Sequence, residues 1–261
     1  MPTPNAQHRL RNGQSWHRHP GAAGTRRPRP RGAPPGPAGS AGATALHRTP
    51  QTGPEGAHRF TPSPEREGDP IVLHPARLLP WKGVRLSLEM LRQHRRAGMD
   101  ARLILTDTQA IVDWDDQLTT YRAEILSFID EAKLGDAVEM RAVTYGEIPR
   151  LYREADVVVY PTIGDEPYGL VPLEAMSSGR AIVASRSGGM TETIVDGITG
   201  FIVRRGEVSE LAQRVGLLLM DPARRRCMGM AARRHVVANY ALSSYVGRLL
   251  RRYQLLSPAS F

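Results

Sequence analysis

The sequence predicts a doubly wound α/β domain, a parallel sheet with helices on both faces, preceded by a disordered N-terminal segment. Three observations point there. Short, continuous apolar runs alternate with helix-period stretches from about residue 69 onward. Glycine-bearing loops follow several of the apolar runs. Residues 1–68 of the 261 carry 12 of the 21 prolines and 10 of the 25 glycines. With few Ile, Leu, Val or Phe, the first 58 residues cannot bury enough surface to offset the entropy of ordering.

The elements follow in order. Residues 59–68, beginning Arg59-Phe60-Thr61-Pro62, read as a linker. Ile71–His74 reads as a buried strand, followed by a loop and the helix Val84–Arg96. Residues 101–105 form a second strand. Residues 114–133 form an amphipathic helix, because Tyr121, Ile125, Phe128 and Ile129 recur at helical spacing. Residues 138–143 read as a strand, Ile148–Glu154 as a helix and Val157–Tyr160 as a continuous apolar strand. After a long loop come helix 170–178, strand Ala181–Ser185, short helix 190–195 and strand Phe201–Val203. Helices Val208–Met220, Pro222–Asn239 and 243–256 end the chain. The domain boundaries expected are 1–58, 59–68, 69–240 and a terminal helix with its tail at 241–261.

The formal charge of +9 is uneven. Residues 1–68 hold ten Arg, no Lys and three Glu, whereas residues 69–261 are nearly balanced. A near-neutral folded part is a poor footprint for nucleic acid, so no specific nucleic-acid partner is expected. The arginine-rich front reads as an unstructured extension, with a polycation tail for RNA or anionic lipid as the alternative. Cys227 is the sole cysteine, which excludes an internal disulfide and a Cys-rich zinc site. No run approaches the roughly 18 apolar residues of a membrane span, and the N-terminus has no apolar signal region. The expected compartment is the cytoplasm. Arg233, Arg234, Arg251 and Arg252 are either solvated or touch a membrane surface peripherally.

In doubly wound sheets ligands sit at the carboxyl ends of the strands, so chemistry is sought in those loops. After the first strand, Arg77 and Lys82 lie five residues apart beside a helix start. A guanidinium fork and an ammonium suit a diphosphate, and the helix start adds partial positive charge; solvated surface cations are the alternative. After Tyr160, the loop carries Glu166, then Tyr168-Gly169-Leu170 at a helix start, then Glu174 inside the helix. Gly169 permits close approach of backbone N–H groups to an anion, and Pro172 falls in the first turn, where its missing N–H costs nothing. The two carboxylates suit sugar and ribose hydroxyls, or are solvated acids favoured by the helix dipole. Gly188-Gly189, after the strand Ala181–Ser185, either admits close backbone approach or makes a tight turn. His74 reads as a strand-end histidine rather than a base, and Cys227 as a packing residue.

Ala76-Arg77-Leu78-Leu79-Pro80-Trp81-Lys82-Gly83 is similar to the pattern G-R-L-x-x-x-K-G. Glu166-Pro167-Tyr168-Gly169-Leu170-Val171-Pro172-Leu173-Glu174-Ala175-Met176 is similar to E-P-F-G-L-V-x-L-E-A-M. Gly188, Gly189, Glu192, Asp196, Gly197 and Gly200 continue it. These stretches resemble the donor-binding domain of retaining glycosyltransferases of GT-B architecture, most closely glycosyltransferase family 4, over about residues 60–255. The resemblance implies that Arg77 and Lys82 neutralise the leaving diphosphate and that Glu166 contacts the transferred sugar. It implies that N–H groups around Tyr168, Gly169 and Leu170 hold a phosphate and that Glu174 bonds the ribose. It places the base near residues 141–144, including Val143 and Thr144. It implies a nucleotide-sugar donor, an acceptor of unspecified class, no metal cofactor, and transfer with retention. Ala76 departs from the family's glycine, and Thr106-Asp107-Thr108 from its glycine-rich turn. With the acceptor domain missing before residue 60, the chain reads as a donor-half fragment; a non-catalytic nucleotide-sugar-binding module is the alternative.

Overall fold

A computed structural model of the chain describes residues 68–106 and 115–256. The expected disordered segment 1–58, all but the end of the linker 59–68, and the turn at Asp107 and Thr108 lie outside the described residues.

The described strands are β1 Ile71–His74, β2 Arg102–Thr106, β3 Val138–Arg141, β4 Val157–Tyr160, β5 Ala181–Ser185 and β6 Phe201–Val203. They form one sheet in the order β3-β2-β1-β4-β5-β6, and every neighbouring pair is parallel. The described helices are α1 Val84–Arg96, α2 Asp115–Glu131, α3 Ile148–Glu154, α4 Leu170–Ser177, α5 Met190–Thr193, α6 Val208–Met220, α7 Pro222–Asn239 and α8 Leu242–Leu256. From β1 the chain steps outward to β2 and β3, returns beside β1 as β4, and then steps the other way. The order therefore reverses between β1 and β4, where the departing loops diverge and open a crevice.

Side chains alternate across the sheet. Val72, Val157, Val159 and Val183 pack with Leu88 and Leu91 of α1, Ile125 of α2 and Val215 of α6. Leu73, Val158 and Ile182 face the other way, toward Leu151 and Tyr152 of α3, Ala175 of α4 and Ala232 of α7. Burial on both faces is why these strands read as continuous apolar runs rather than alternating ones. Asp156 ties helix α7 to the sheet. Its Oδ2 accepts from the Ile71 N–H at 2.9 Å, and its Oδ1 pairs with Arg225 of α7 at 3.1 Å.

Several boundaries differ from expectation for local reasons. β3 stops at Arg141, because Thr144 begins a capped 3-10 turn at Tyr145–Glu147. The backbone and hydroxyl of Thr144 both donate to Glu147 Oε2, at 2.8 and 2.7 Å. α2 stops at Glu131, just before Lys133, whose φ of 54° is left-handed. α5 stops at Thr193, since the Val195 N–H turns to the Thr199 hydroxyl at 2.8 Å. Among the described residues, no helix is long and apolar enough to cross a membrane. Arg233 is not a solvated cation: its guanidinium donates to the Ser177 carbonyl of α4.

Candidate functional site

The loops leaving β1, β4 and β5 are bonded to one another. The β1 loop ends in a 3-10 turn, Pro80–Lys82. The Trp81 carbonyl accepts from the Thr162 hydroxyl at 2.7 Å and from the Ile163 and Gly164 N–H groups at 2.9 and 3.2 Å. Gly83 makes this contact sterically feasible. Its φ is 77°, and a Cβ there would collide with the Pro161 carbonyl. The β5 loop meets the β4 loop similarly. Ser187 Oγ accepts from the Glu166 N–H and donates to the Gly164 carbonyl, both at 3.0 Å. A Cβ at Gly188 would strike the Glu166 carbonyl, and one at Gly189 would come within 2.7 Å of the Tyr168 carbonyl. The backbone admitted by the Gly188-Gly189 pair is thus the protein's own segment 166–168.

This bonding brings together groups 84 residues apart in the chain. Lys82 Nζ lies 2.6 Å from Glu166 Oε2. Tyr160, the last residue of β4, closes a triangle: its hydroxyl accepts from Lys82 Nζ and donates to Glu166 Oε2, each at 2.6 Å. The Lys82 and Glu166 side chains are 15% and 17% exposed, so a ligand can reach them. Burial opposes ionisation of Glu166, but hydrogen bonds from Lys82 and Tyr160 outweigh it, with help from the Gly169 N–H, and hold its carboxyl below the usual range. The Tyr160 phenol is pushed well up by burial, then by its bond to Glu166.

His74 is fully buried at the carboxyl end of β1, its ring 6.5 Å from that of Tyr160. Burial, with the charge of Lys82 added, lowers its pKa from 6.5 to about 3, so the imidazole is neutral. Nδ1 is 2.8 Å from the Ser87 hydroxyl, and Nε2 has no partner among the described residues. His74 thus ends β1 with its ring enclosed in the fold.

Gly169 stands at the start of α4 with a left-handed φ of 78°. Its flanking residues Tyr168 and Leu170 are 52% and 63% exposed. Glu174, further along α4, accepts at Oε2 from the hydroxyl of Tyr152 on α3 at 2.8 Å. Arg77 is exposed on the β1 loop and makes no salt bridge among the described residues; its charge reaches Tyr160 and favours the phenolate.

The residues singled out from sequence are therefore not all in one place. Lys82, Glu166 and Gly169 meet at the switch point, flanked by Arg77, Tyr168 and Leu170, with Glu174 further along α4. Val143 and Thr144 follow β3, with β2 between them and β1, so two strand spacings, about 10 Å, separate their strand from β1. Val143 lines a hollow of about 260 Å³ with Arg141, Ala142, Glu147, Arg150, Leu151 and Glu154. Thr144 commits its N–H and hydroxyl to Glu147. Sequence reasoning missed Tyr160, Tyr152 and Ser187. The one available signal for Tyr160 was a hydroxyl ending an otherwise all-valine strand. Among the described residues, no group of three or more His, Cys, Asp or Glu side chains is placed to hold a metal ion.

The comparisons with known proteins agree with this architecture. The mannosyltransferase of Mycolicibacterium smegmatis described as GDP-mannose-dependent alpha-(1-6)-phosphatidylinositol monomannoside mannosyltransferase is 34% identical over 73% of this chain and 52% of its own. The D-inositol 3-phosphate glycosyltransferase of Nocardia farcinica is 30% identical over 71% of this chain and 40% of its own. Among solved structures, Anabaena Alr3699/HepE in complex with UDP and glucose superposes with a TM-score of 0.62 at 26% identity, covering 73% of this chain and 49% of that one. The chain thus spans about half the length, or less, of the relatives it matches. The profile of the family Glycosyl transferases group 1 matches residues 58–235. With fold, switch-point loops and profile in agreement, the chain belongs to the group 1 glycosyl transferases.

Proposed function

We propose that this chain supplies the donor-binding half of a retaining glycosyltransferase of family 4, taking a nucleotide-diphosphate sugar. The observation that carries the reading is the Lys82–Tyr160–Glu166 cluster at the β1/β4 switch point, beside the start of α4. Lys82 has three N–H donors, of which the cluster engages two. The third, with the Arg77 fork and the N–H groups around Tyr168 and Leu170, would meet the diphosphate, the Gly169 N–H already bonding Glu166. Negative charge grows on the departing phosphate oxygen, so donors already in place there stabilise the transition state more than the ground state. Glu166 would accept from sugar hydroxyls, Glu174 from the ribose, and the hollow beside Val143 and Thr144 would receive the base. The UDP and glucose recorded for the Anabaena structure and the GDP-mannose of the mycobacterial relative's name support a donor of this class.

Calorimetry with UDP and GDP tests the reading. Charge-assisted hydrogen bonds contribute about 1.5–3 kcal/mol each, so Lys82→Ala should weaken binding by about 10- to 100-fold; unchanged affinity would remove the cluster from the site. The same proposal assigns the diphosphate charge to side chains and backbone rather than to a metal. Affinity should then survive a chelator, and a chelator-induced loss restored by Mg²⁺ would reverse that assignment. Cytoplasmic placement, with contact between Arg234, Arg251 or Arg252 and an anionic membrane face, belongs to the same proposal; failure to co-sediment with anionic vesicles would remove the contact. The second reading, a nucleotide-sugar-binding module without transfer, makes the same binding predictions and is separated from the first by product analysis with an acceptor present.

A further inference from the structure

We infer that Tyr160 is a positioning residue whose hydroxyl fixes Lys82 and Glu166 relative to one another, aiming one cation and one carboxylate oxygen at the ligand. The identity of that ligand rests on the donor-binding reading above; the geometry does not. Tyr160 is 2% exposed. Its backbone belongs to a central strand bonded on both sides, to β1 and β5, so its hydroxyl is held by the sheet rather than by a loop. A phenol has one donor and two lone pairs. The donor is used on Glu166 Oε2, and one lone pair accepts from Lys82.

Lys82 and Glu166 belong to different loops and have long, rotatable side chains. An ion pair alone would let them meet in several geometries, because holding two such chains in one arrangement costs side-chain entropy. The phenol adds a third, rigid vertex. The Lys82 and Tyr160 contacts both fall on Oε2 of Glu166, so even with the Gly169 N–H bonded to the carboxylate Oε1 keeps at least one lone pair for a further donor. Tyr152, 1% exposed on α3, repeats the arrangement at Glu174, again on Oε2. Each of the two acids expected to meet ligand hydroxyls therefore has one oxygen taken by a buried phenol. The ionisable neighbours of Glu166 are Lys82 and Tyr160; Tyr160 in turn feels Arg77 and Glu174 and packs on the neutral His74 ring.

The test is Tyr160→Phe in the full chain. A carbon-13 NMR titration of the Glu166 carboxyl, assigned with Glu166→Gln, needs no ligand. Losing a donor that favours the carboxylate should raise its midpoint by about one pH unit, a tenfold change in its proton affinity. An unchanged midpoint overturns the inference. Calorimetry with UDP-glucose and GDP-mannose then asks what the alignment does. Whichever nucleotide sugar the wild type takes should bind the variant about tenfold more weakly, with the melting temperature kept; equal affinity overturns the inference while leaving the donor reading intact. Should the wild type bind neither, the donor reading fails, and the carboxyl titration still decides the role of Tyr160. If Tyr160→Phe does not fold, the wild-type protein serves: its buried Tyr160 hydroxyl proton should exchange slowly and lose that protection in Glu166→Ala, which removes the acceptor. Fast exchange in the wild type overturns the inference.

Discussion

Glu166 and His74 show how the same few ångströms of structure treat two ionisable groups differently. Glu166 is held as a carboxylate because hydrogen bonds from Lys82 and Tyr160, each at 2.6 Å, outweigh its burial. His74 has no acid beside it, and burial keeps it neutral. That has a consequence for stability. The His74 pKa lies at about 3 in the folded protein and near 6.5 when exposed. Between those values the unfolded chain binds a proton that the folded chain refuses, so stability falls as pH drops through this window and is unaffected above it. The loss should approach about 1.4 kcal/mol per pH unit at this position. Urea denaturation of His74→Gln should therefore lose about 2 kcal/mol less than wild type between pH 7 and pH 5; an identical loss would show that the imidazole titrates freely. His94, likewise lowered by burial, keeps its own share in both proteins. The candidate residues legible in the sequence were those whose chemistry announces itself, namely Arg77, Lys82, Glu166 and Glu174. Tyr160 was not, because a tyrosine ending an apolar strand is ordinary until its partners, 78 residues before it and 6 after, are seen to converge on its hydroxyl.

Among the elements, the strands and most helices were legible because burial on both sheet faces leaves unbroken apolar runs. The loops were legible only as candidates. Gly188 looked like an aid to a ligand or a turn, and Gly83 was one residue of a family pattern, yet each makes room for a carbonyl of a neighbouring loop. No pattern within nine or ten residues reveals that, since the obstacle comes from a distant part of the chain. Gly83→Ala should expose the difference. A left-handed φ costs a side chain about 1–3 kcal/mol, and the Pro161 carbonyl must also move. Thermal denaturation should show a loss of about 2–4 kcal/mol, accompanied by weaker nucleotide binding as the 80–82 turn leaves the β4 loop. Retained stability with retained binding would mean that the two loops are not bonded in solution. Asp156→Ala belongs to the same scale. It leaves Arg225 and the Ile71 N–H without their shared acceptor, and should cost about 1–3 kcal/mol without touching the site.

For the whole molecule, the site bridges the two halves of the sheet, so ligand binding and global stability are coupled. Nucleotide at 100 times its dissociation constant should add about 2.7 kcal/mol, a rise in melting temperature of about 5–11 °C for a domain of this size. Lys82→Ala, binding about 10- to 100-fold more weakly, should cut the gain at the same concentration to about 0.4–1.4 kcal/mol, and an undiminished rise would place the ligand elsewhere. Most of the overall charge of +9 belongs to residues 1–68, with ten Arg against three Glu. The described domain instead directs attention to a few cations at one crevice. By itself the sequence determined the α/β class, most element boundaries and the loops that carry the acids and cations, because those depend on local periodicity, glycine and charge. Only the tertiary structure decided which of these groups meet. It set Lys82 against Glu166 through Tyr160, gave the paired glycines to loop packing, and kept Val143 and Thr144 in the loop after β3, two strands from β1. Strand order and loop-to-loop contact arise from packing between segments far apart in the chain, and local sequence does not encode that distance.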